Sequence, residues 1–408
     1  MLYYGMKQFD IPHKYKSSLI QQLKNQPKKK DGVRNFNPTC WTVKHITFKV
    51  ARHFGFCYGV ENAVEIAYKT IQNNPGKRIF LLSEMIHNPI VNADLKAHGI
   101  QFIQQTDGTQ LIDWSEIKKG DIVLIPAFGT TIETKKILTQ KGIEYDTFDT
   151  TCPFVELVWK RSKQMAKNNA TTIIHGKPNH EETRATFSNA SQHGPAIIVE
   201  NMHEAKILGE FILNSTEANH FNSIFKNRCS DNFNVAIHLR RIGVVNQTTM
   251  LAEETQAIAD YLKSVMTQKY GTENLSNHFE DTRDTLCYAT NDNQQAIKSL
   301  LQEQGDIALI IGGYNSSNTA HLVELAQEVL PTYFIQDENA ISSTGDLTHF
   351  DLATKQFITS KSVITPSKKQ TILISSGASC PDRILENIIL KIGNMFGVSE
   401  KELTNSLT

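Results

Sequence analysis

Apolar positions follow two patterns along this chain. In one, they recur at helical spacing, as at Val64, Ala67, Tyr68 and Ile71, which predicts an amphipathic helix. In the other, they form short continuous runs of the kind found in buried strands. The two patterns alternate, the short runs end in polar loops, and the whole arrangement occurs three times.

Three of the predicted helices begin at a cysteine. Cys57 precedes a helical run over 61–71, Cys152 precedes one that reaches residue 167, and Cys287 precedes one that reaches residue 302. After each helix we predict a strand, a polar loop, a further helix and a second strand with its own loop. The predicted strands cover 78–82 and 121–125, 171–175 and 242–245, and 306–311 and 371–375. The chain therefore contains an internal repeat of larger period than the short solenoid repeats.

The loop after the first strand of each repeat lies at a similar distance from the cysteine. The offset is thirty residues to His87, twenty-eight to His180 and twenty-nine to Ser316. Ligands bind at the carboxyl ends of parallel strands in open α/β sheets. We therefore expect the three sets of loops and the three cysteines to share one centre.

The position of these cysteines favours metal binding. Unpaired backbone N–H groups and the dipole at a helix start stabilise a thiolate, which is the form that binds metal. Six cysteines in 408 residues are too few for a disulfide scaffold, and their spacing does not fit a zinc finger. We predict no ligand role for the other three, which are Cys40, Cys229 and Cys380.

Charge and hydropathy exclude several classes of protein. Forty-two basic residues balance forty-two acidic residues, so no bulk charge attracts nucleic acid or an anionic membrane. No apolar run approaches the roughly 20 residues of a membrane span. We therefore expect a soluble intracellular protein with no nucleic-acid or membrane partner.

The repeat divides the chain into three predicted lobes. Lobe 1 covers 45–149, lobe 2 covers 150–284, and lobe 3 with the C-terminal segment covers 285–408. Lobe 2 contains a predicted surface insertion over 201–232. Residues 1–44 lie outside the repeat and lack the apolar core of a secretory signal. We expect them to form a solvated extension, with packing on lobe 1 as the alternative.

Three cysteine ligands suit a [4Fe–4S] cluster that leaves one iron open to substrate, because such clusters are held by thiolates. Structural zinc sites use closer spacings and a fourth ligand. The neutral hydrogen-bonding loops favour a phosphorylated ligand at helix N-termini. Two other classes stay open at this point: an iron–sulfur redox or iron sensor without catalysis, and a zinc-dependent phosphoester hydrolase.

The most specific signal is a set of ordered motifs. They are Gly55-Phe56-Cys57-Tyr58-Gly59-Val60, His87-Asn88-Pro89, Asp149-Thr150-Thr151-Cys152-Pro153, Gln247-Thr248-Thr249, Asp284-Thr285-Leu286-Cys287-Tyr288-Ala289-Thr290, Asn315-Ser316-Ser317-Asn318 and Gly377-Ala378-Ser379. In this order the motifs resemble the family of 4-hydroxy-3-methylbut-2-enyl diphosphate reductase, the last enzyme of the methylerythritol phosphate route to isoprenoids. The segments 126–129 and 180–183 are similar to its plant and cyanobacterial branch.

The resemblance implies an α/β fold of three similar lobes, with small mainly parallel sheets in pseudo-threefold arrangement around a central iron–sulfur cluster. It implies reductive removal of the substrate's hydroxyl to give isopentenyl and dimethylallyl diphosphate, with electrons from a ferredoxin or flavodoxin system. It also implies a cytoplasmic location in a bacterium, or the plastid stroma in a photosynthetic eukaryote.

The resemblance assigns a role to eleven residues. The cluster ligands are Cys57, Cys152 and Cys287. The diphosphate ligands are His87, His180, Ser316, Ser317, Asn318 and Ser379. Glu182 matches the proton donor, with His180 beside it, and Thr248 matches the residue that orients the substrate hydroxyl. One position departs from the pattern, because Phe128 stands where many bacterial members have a diphosphate-binding histidine.

Overall fold

The structure, a computed structural model, describes residues 8–25, 29–30, 33–214, 218–281 and 285–406. Asp284, the first residue of the motif around Cys287, lies outside these ranges. The chain forms two compact units, each described by itself. The Cys57 unit comprises Met1–Tyr68, His87–Val91 and Tyr288–Thr408, and the Cys152 unit comprises Lys69–Ile86 and Asn92–Cys287. No helix among the described residues is long and apolar enough to cross a membrane.

Strands and helices alternate along most of the described chain. The strands are β1 (Lys29–Lys30), β2 (Val33–Arg34), β3 (Thr39–Val43), β4 (Ile46–Val50), β5 (Ile79–Leu81), β6 (Gln101–Phe102), β7 (Ile122–Leu124), β8 (Thr171–His175), β9 (Ala196–Val199), β10 (Ile242–Asn246), β11 (Phe279–Glu280), β12 (Ile307–Ile311), β13 (Thr332–Ile335), β14 (Leu347–Asp351), β15 (Gln356–Ser360) and β16 (Gln370–Ser376). The helices are α1 (Ser18–Asn25), α2 (Tyr58–Asn73), α3 (Pro89–Ala97), α4 (Ile132–Gln140), α5 (Pro153–Lys167), α6 (Glu181–Ser191), α7 (Met202–Asn214), α8 (Ala218–Phe225), α9 (Val235–His238), α10 (Ala252–Tyr270), α11 (Leu275–His278), α12 (Tyr288–Leu300), α13 (Ser317–Gln327), α14 (Asp382–Met395) and α15 (Glu400–Asn405).

The Cys152 unit contains two parallel sheets. One has the strand order β6-β5-β7 and the other has the order β11-β10-β8-β9. Every residue of β8 and β10 is buried, as expected for strands with both faces covered by helices. The short continuous apolar runs of this unit are therefore strands of parallel sheets, central in the case of β5, β8 and β10 and at a sheet edge in the case of β7.

The Cys57 unit contains one five-stranded sheet of order β13-β12-β16-β4-β3. All neighbours are parallel except β3, which pairs antiparallel with β4. Alternate residues of β12 enter two separate cores: Ile307, Leu309 and Ile311 face one, and Ala308 and Ile310 face the other. A hairpin of β14 and β15 stands beside this sheet as a separate antiparallel pair.

The predicted fold class, α/β with small mainly parallel sheets, is confirmed. β8 and the end of α5 lie where the sequence predicts them, and the other predicted strands agree to within two residues at either end. The lobe boundaries 45–149, 150–284 and 285–408 stay a prediction. One sheet combines strands from two predicted lobes, because β4 of predicted lobe 1 pairs with β16 of predicted lobe 3.

Expectations about two peripheral segments need correction. The extension over 1–44 does pack on predicted lobe 1, where the Tyr15 and Tyr68 hydroxyls lie 3.0 Å apart. It is not a solvated segment throughout, since α1 packs on α14 and buries three apolar side chains in the core of the Cys57 unit: Leu19, Ile20 and Leu23. The insertion over 201–232 is not a surface feature, since α7 packs on α10 and Phe221 and Phe225 are buried in the core of the Cys152 unit.

Candidate active site

Each of the three predicted ligand cysteines directly precedes a helix. α2 begins at Tyr58, α5 at Pro153 and α12 at Tyr288, and Cys152 is the N-cap of its helix. All three cysteines are free of disulfides, with Cys287 buried and the other two half-buried. The helix-start positions predicted from the sequence are therefore confirmed.

Two of these cysteines are anchored by the same kind of backbone contact. The Cys57 N–H donates to the carbonyl of Ala378 at 3.2 Å, and the Cys152 N–H donates to the carbonyl of Ala127 at 2.9 Å. Ala378 follows β16 and Ala127 follows β7, so each cysteine docks on a loop at the carboxyl end of a strand. This equivalence supports the internal repeat.

The cysteines are divided between the two units. Cys57 belongs to one, and Cys152 and Cys287 belong to the other. Among the described residues, no group of three or more His, Cys, Asp or Glu side chains is arranged to hold a metal ion. The three-thiolate ligand set thus stays a prediction, and its support is the chemistry and helix-start position of the thiols.

In the Cys152 unit, Glu182 and Thr248 form a buried pair. Glu182 lies in the first turn of α6, and Thr248 follows β10 in a polar loop. The Thr248 backbone N–H donates to one carboxylate oxygen of Glu182, and the Thr248 hydroxyl donates to the other at 3.0 Å. The sequence places these residues 66 positions apart, and the ends of two neighbouring parallel strands bring them together.

The surroundings of Glu182 favour its protonated form. Burial raises the pKa of Glu182 from 4.5 to about 7, although the two hydrogen bonds from Thr248 lower it. Desolvation disfavours the charged carboxylate more than two donors stabilise it. Glu182 can therefore hold a proton near neutral pH, as a general acid must.

The neighbouring Glu181 is buried in a different environment. Burial raises the pKa of Glu181 to about 8, with a further increase from the charge of Glu84, while Ser83 and Arg184 lower it. Within the described residues, neither carboxylate oxygen of Glu181 has a hydrogen-bond partner at normal distance. Only Glu182 has its carboxyl group oriented by two donors.

His180 caps the same helix. Its Nδ1 atom accepts a hydrogen bond from the Glu182 N–H at 3.2 Å, so the neutral imidazole carries its proton on Nε2 and can donate it to a ligand. The Phe128 ring meets the His180 ring edge to face, with centroids 5.7 Å apart. Phe128 thus packs against His180, a predicted diphosphate ligand.

Two glycine–threonine pairs shape the loops at these strand ends, and the sequence-based prediction assigned them no role. A Cβ at Gly176 would lie 2.6 Å from Thr183 Oγ1, and a Cβ at Gly312 would lie 2.5 Å from Thr319 Oγ1. Both pairs are seven residues apart and enclose the N-cap of the following helix. The recurrence of this spacing in two repeats is a signal that could have identified them.

The Cys57 unit presents a buried helix N-terminus. Ser316 is the N-cap of α13, Ser317 and Asn318 are its first two residues, and all three are buried. The Asn318 side-chain oxygen accepts a hydrogen bond of 2.9 Å from the Ala378 N–H. A helix N-terminus with hydroxyl and amide side chains is suited to bind an anion such as a phosphate.

His87 and Ser379 join this helix N-terminus. The Ser379 hydroxyl donates to the His87 carbonyl at 3.0 Å. A Cβ at Gly313 would lie 2.4 Å from the same carbonyl, so the glycine allows the loop before α13 to approach His87. Burial lowers the pKa of His87 to about 3, which keeps the imidazole neutral in the ligand-free protein. The five predicted diphosphate ligands of this unit are therefore all buried, on loops that contact one another: His87, Ser316, Ser317, Asn318 and Ser379.

Comparison with known proteins decides the family. The family model described as LytB protein matches residues 48–393. The chain belongs to the LytB family. The LytB relatives include the 4-hydroxy-3-methylbut-2-enyl diphosphate reductase of Thermosynechococcus vestitus, which is 39% identical over 379 residues and covers 93% of this chain and 89% of its own length. The reductase of Gloeobacter violaceus is 35% identical over 413 residues, covering 99% and 94% of the two chains. The resemblance to this reductase family, in its cyanobacterial branch, is confirmed.

Solved structures of LytB-type reductases have the same fold. A structure of (E)-4-hydroxy-3-methyl-but-2-enyl diphosphate reductase matches with a TM-score of 0.52 and 25% identity, covering 85% of this chain and 98% of the other. The Plasmodium falciparum E-1-hydroxy-2-methyl-but-2-enyl-4-diphosphate reductase matches with a TM-score of 0.63 and 21% identity, covering 88% and 91%. The second likeness concerns the fold alone.

Proposed function

We propose that the chain is an oxidoreductase that converts (E)-4-hydroxy-3-methylbut-2-enyl diphosphate to isopentenyl and dimethylallyl diphosphate, the last step of the methylerythritol phosphate pathway. Membership of the LytB family and the names of its close relatives support this proposal. The observation that carries it is the buried Glu182–Thr248 pair, because removal of a hydroxyl group as water needs a proton donor at the departing oxygen.

The proposed cofactor is a [4Fe–4S] cluster held by Cys57, Cys152 and Cys287. The donor set fits the group, since three thiols free of disulfides each lie at a helix start. Burial raises the pKa of the Cys57 thiol in the cluster-free chain, and the backbone N–H groups of Gly59 and Val60 at the start of α2 lower it. When bound, a cluster with one open iron supplies two electrons in sequence and a Lewis-acidic site for the substrate hydroxyl. The electrons would come from a ferredoxin or flavodoxin system.

The diphosphate would bind the polar group around the start of α13. Ser316, Ser317 and Asn318 offer hydroxyl, amide and backbone donors there. His87 and Ser379 add an imidazole and a hydroxyl. Binding energy from this non-reacting end of the substrate would orient the reacting carbon and exclude water.

The proton would come from Glu182. Replacement of a hydroxyl by hydrogen consumes two electrons and two protons and releases one water. Burial raises the pKa of Glu182 to about 7 and Thr248 orients its carboxyl group, so it can hold and deliver the proton that the departing oxygen needs. His180, whose Nδ1 accepts from the Glu182 amide, would donate Nε2–H to the diphosphate end of the substrate.

Turnover of the diphosphate substrate by the anaerobically reconstituted chain, with a reduced one-electron donor, tests the function. The reductase proposal expects about four irons and four sulfides per chain and release of both products. One bound zinc and release of phosphate would instead identify a hydrolase. A cluster that is redox-active but does not turn over the substrate would identify a sensor. The expected location is the cytoplasm of a bacterium or the plastid stroma of a photosynthetic eukaryote.

A further inference from the structure

A largely buried ion pair connects the N-terminal segment to the start of α14, beside the loop that carries Cys57. Lys24 in α1 places its Nζ atom 2.6 Å from Oδ1 of Asp382, the first residue of α14. Only 17% of the Lys24 side chain and 8% of the Asp382 side chain are exposed. Gln21, one turn earlier in α1, donates to the other carboxylate oxygen of Asp382 at 3.1 Å. Both oxygens of this buried carboxylate are therefore satisfied by α1.

The ion pair lies directly on the backbone of the Cys57 loop. Gly55 has a φ of +74°, and a Cβ added there would lie 2.9 Å from Asp382 Oδ1 and 3.0 Å from Lys24 Nζ. The Lys24 ammonium also lies 5.3 Å from the centre of the Phe54 ring. The pair thus covers the turn that precedes Cys57 by two residues.

The same N-terminal segment contacts both neighbours of Cys57. The Phe9 ring meets the Tyr58 ring edge to face at 4.9 Å, and the Tyr15 ring approaches the Phe56 ring at 6.1 Å. On the other side of the loop, the Cys57 N–H is bound to the Ala378 carbonyl, four residues before Asp382. The Cys57 loop is therefore enclosed between the N-terminal segment and the start of α14.

We propose that the Lys24–Asp382 ion pair, with Gln21, is a positioning element for Cys57. It holds the Gly55 turn against the start of α14 and so fixes the cysteine at the helix start. The proposed action of Lys24 and Asp382 is through the backbone of the Gly55 turn. The inference rests on the proposed function only in taking Cys57 as a cluster ligand.

The test uses the full-length chain without iron and measures the alkylation rate of each cysteine by peptide mass spectrometry. Lys24→Met removes the cation and leaves Asp382 buried. Because a hydrogen bond to a charged group is lost, we expect Cys57 to react about tenfold faster, with Cys152 changed by less than about twofold. Lys24→Arg keeps the charge and should restore the wild-type rate at Cys57.

Lys49→Met is the matched control. Lys49 forms an ion pair of 2.9 Å with Glu303 in the same unit, and its side chain is 16% exposed, but it lies in β4 rather than against the Cys57 loop. We expect neither cysteine to react faster in this variant. If the Lys24→Met chain does not fold, the same measurement is made on Gln21→Leu, which keeps the ion pair but removes the second donor to Asp382. We expect Cys57, and not Cys152, to react faster in this variant.

An unchanged rate at Cys57 would overturn the proposal, and so would a parallel increase at Cys57 and Cys152, since that indicates general loosening. In the holoprotein, Lys24→Met should also lose iron to a chelator about tenfold faster than Lys49→Met. Failure of the proposed function would appear separately, as a different iron stoichiometry or no turnover in the wild-type chain.

Discussion

The Thr248 hydroxyl donates a hydrogen bond of 3.0 Å to Glu182 Oε2, and the Thr248 backbone N–H donates to the other carboxylate oxygen. Both donors come from one residue, so the plane of the carboxyl group is fixed relative to the loop after β10. Burial nevertheless raises the pKa of Glu182 to about 7. The Thr248 donors fix the position of the carboxyl group and lower its pKa, and burial outweighs that lowering, so the group is both oriented and able to hold a proton, as a general acid requires.

Glu182→Gln should keep the cluster and bind the substrate, because the amide has nearly the shape of the carboxyl group. Turnover should fall roughly 100-fold or more, which is typical for loss of a general acid. Glu181→Gln is the matched control: it changes a carboxyl group that is also buried but, among the described residues, accepts no hydrogen bond from Thr248 and has no hydrogen-bond partner at normal distance, and it should affect turnover little. Normal turnover in Glu182→Gln together with an inactive Glu181→Gln would show that the two roles are exchanged. Steady-state kinetics under anaerobic conditions distinguish these outcomes.

The two raised pKa values also predict how stability depends on pH. Folded-state pKa values of about 7 for Glu182 and about 8 for Glu181 lie above the ordinary value of 4.5. Above pH 4.5 the unfolded chain loses these protons while the folded chain keeps them, so the stabilisation is complete below pH 4.5 and is lost as pH rises through about 7 to 8. The iron-free chain should therefore melt at lower temperature at pH 8 than at pH 6. Replacing both residues by glutamine should reduce this pH dependence. An equally steep dependence in the double variant would contradict the assignment.

Single strands and helices could be predicted because the residue patterns that indicate them lie within one short segment. The apolar run of β8 and the Cys–Pro start of α5 need only a few consecutive residues to be recognised. The pairing of β4 with β16 could not be predicted in this way, since it joins Ile46 to Gln370 across the chain. Register between distant strands depends on packing that no local pattern records.

In the candidate site, too, local patterns predict the residues but not the contacts between distant segments. The motifs identify which residues carry chemistry, but they do not reveal that Phe128 packs on His180 or that Lys24 pairs with Asp382. The latter residues are 358 positions apart in the sequence. A helical spacing of Leu19, Ile20 and Leu23 was present in the N-terminal segment, and it is the signal that could have predicted α1.

Replacing each cysteine by serine in turn tests which thiols hold the proposed cluster. We expect most of the bound iron to be lost in each of three variants, Cys57→Ser, Cys152→Ser and Cys287→Ser. The absorption at about 400 nm that thiolate-bound iron gives should be lost with it. Cys40→Ser, Cys229→Ser and Cys380→Ser should retain both. Cys380 is the sharpest control, because it is fully buried and burial raises its pKa to about 12, so it stays a thiol. A stable cluster after loss of Cys152 would contradict the three-ligand set.

His87→Ala should weaken substrate binding without loss of iron. A hydrogen bond to a charged group contributes about 1.5–3 kcal/mol, so KM should rise by roughly 10- to 100-fold. His98→Ala is the control, because His98 is exposed and its ring contacts the Asp94 carbonyl of its own helix turn. Steady-state kinetics with measured iron content separate binding from cluster loss. An unchanged KM with a lower kcat would show that His87 does not bind the diphosphate.

Gly55→Ala should destabilise the protein more than Gly76→Ala. Both glycines have similar backbone angles, with φ of +74° and +77°, and an L-residue in this region costs about 1–2 kcal/mol. A Cβ at Gly55 would also meet Asp382 at 2.9 Å, whereas a Cβ at Gly76 would meet nothing within 4 Å. Urea unfolding of the iron-free chain should therefore show a loss about 1–2 kcal/mol larger for Gly55→Ala, since overpacking adds to the backbone strain. Equal losses in the two variants would mean that the ion pair moves aside at little cost and does not hold the turn before Cys57.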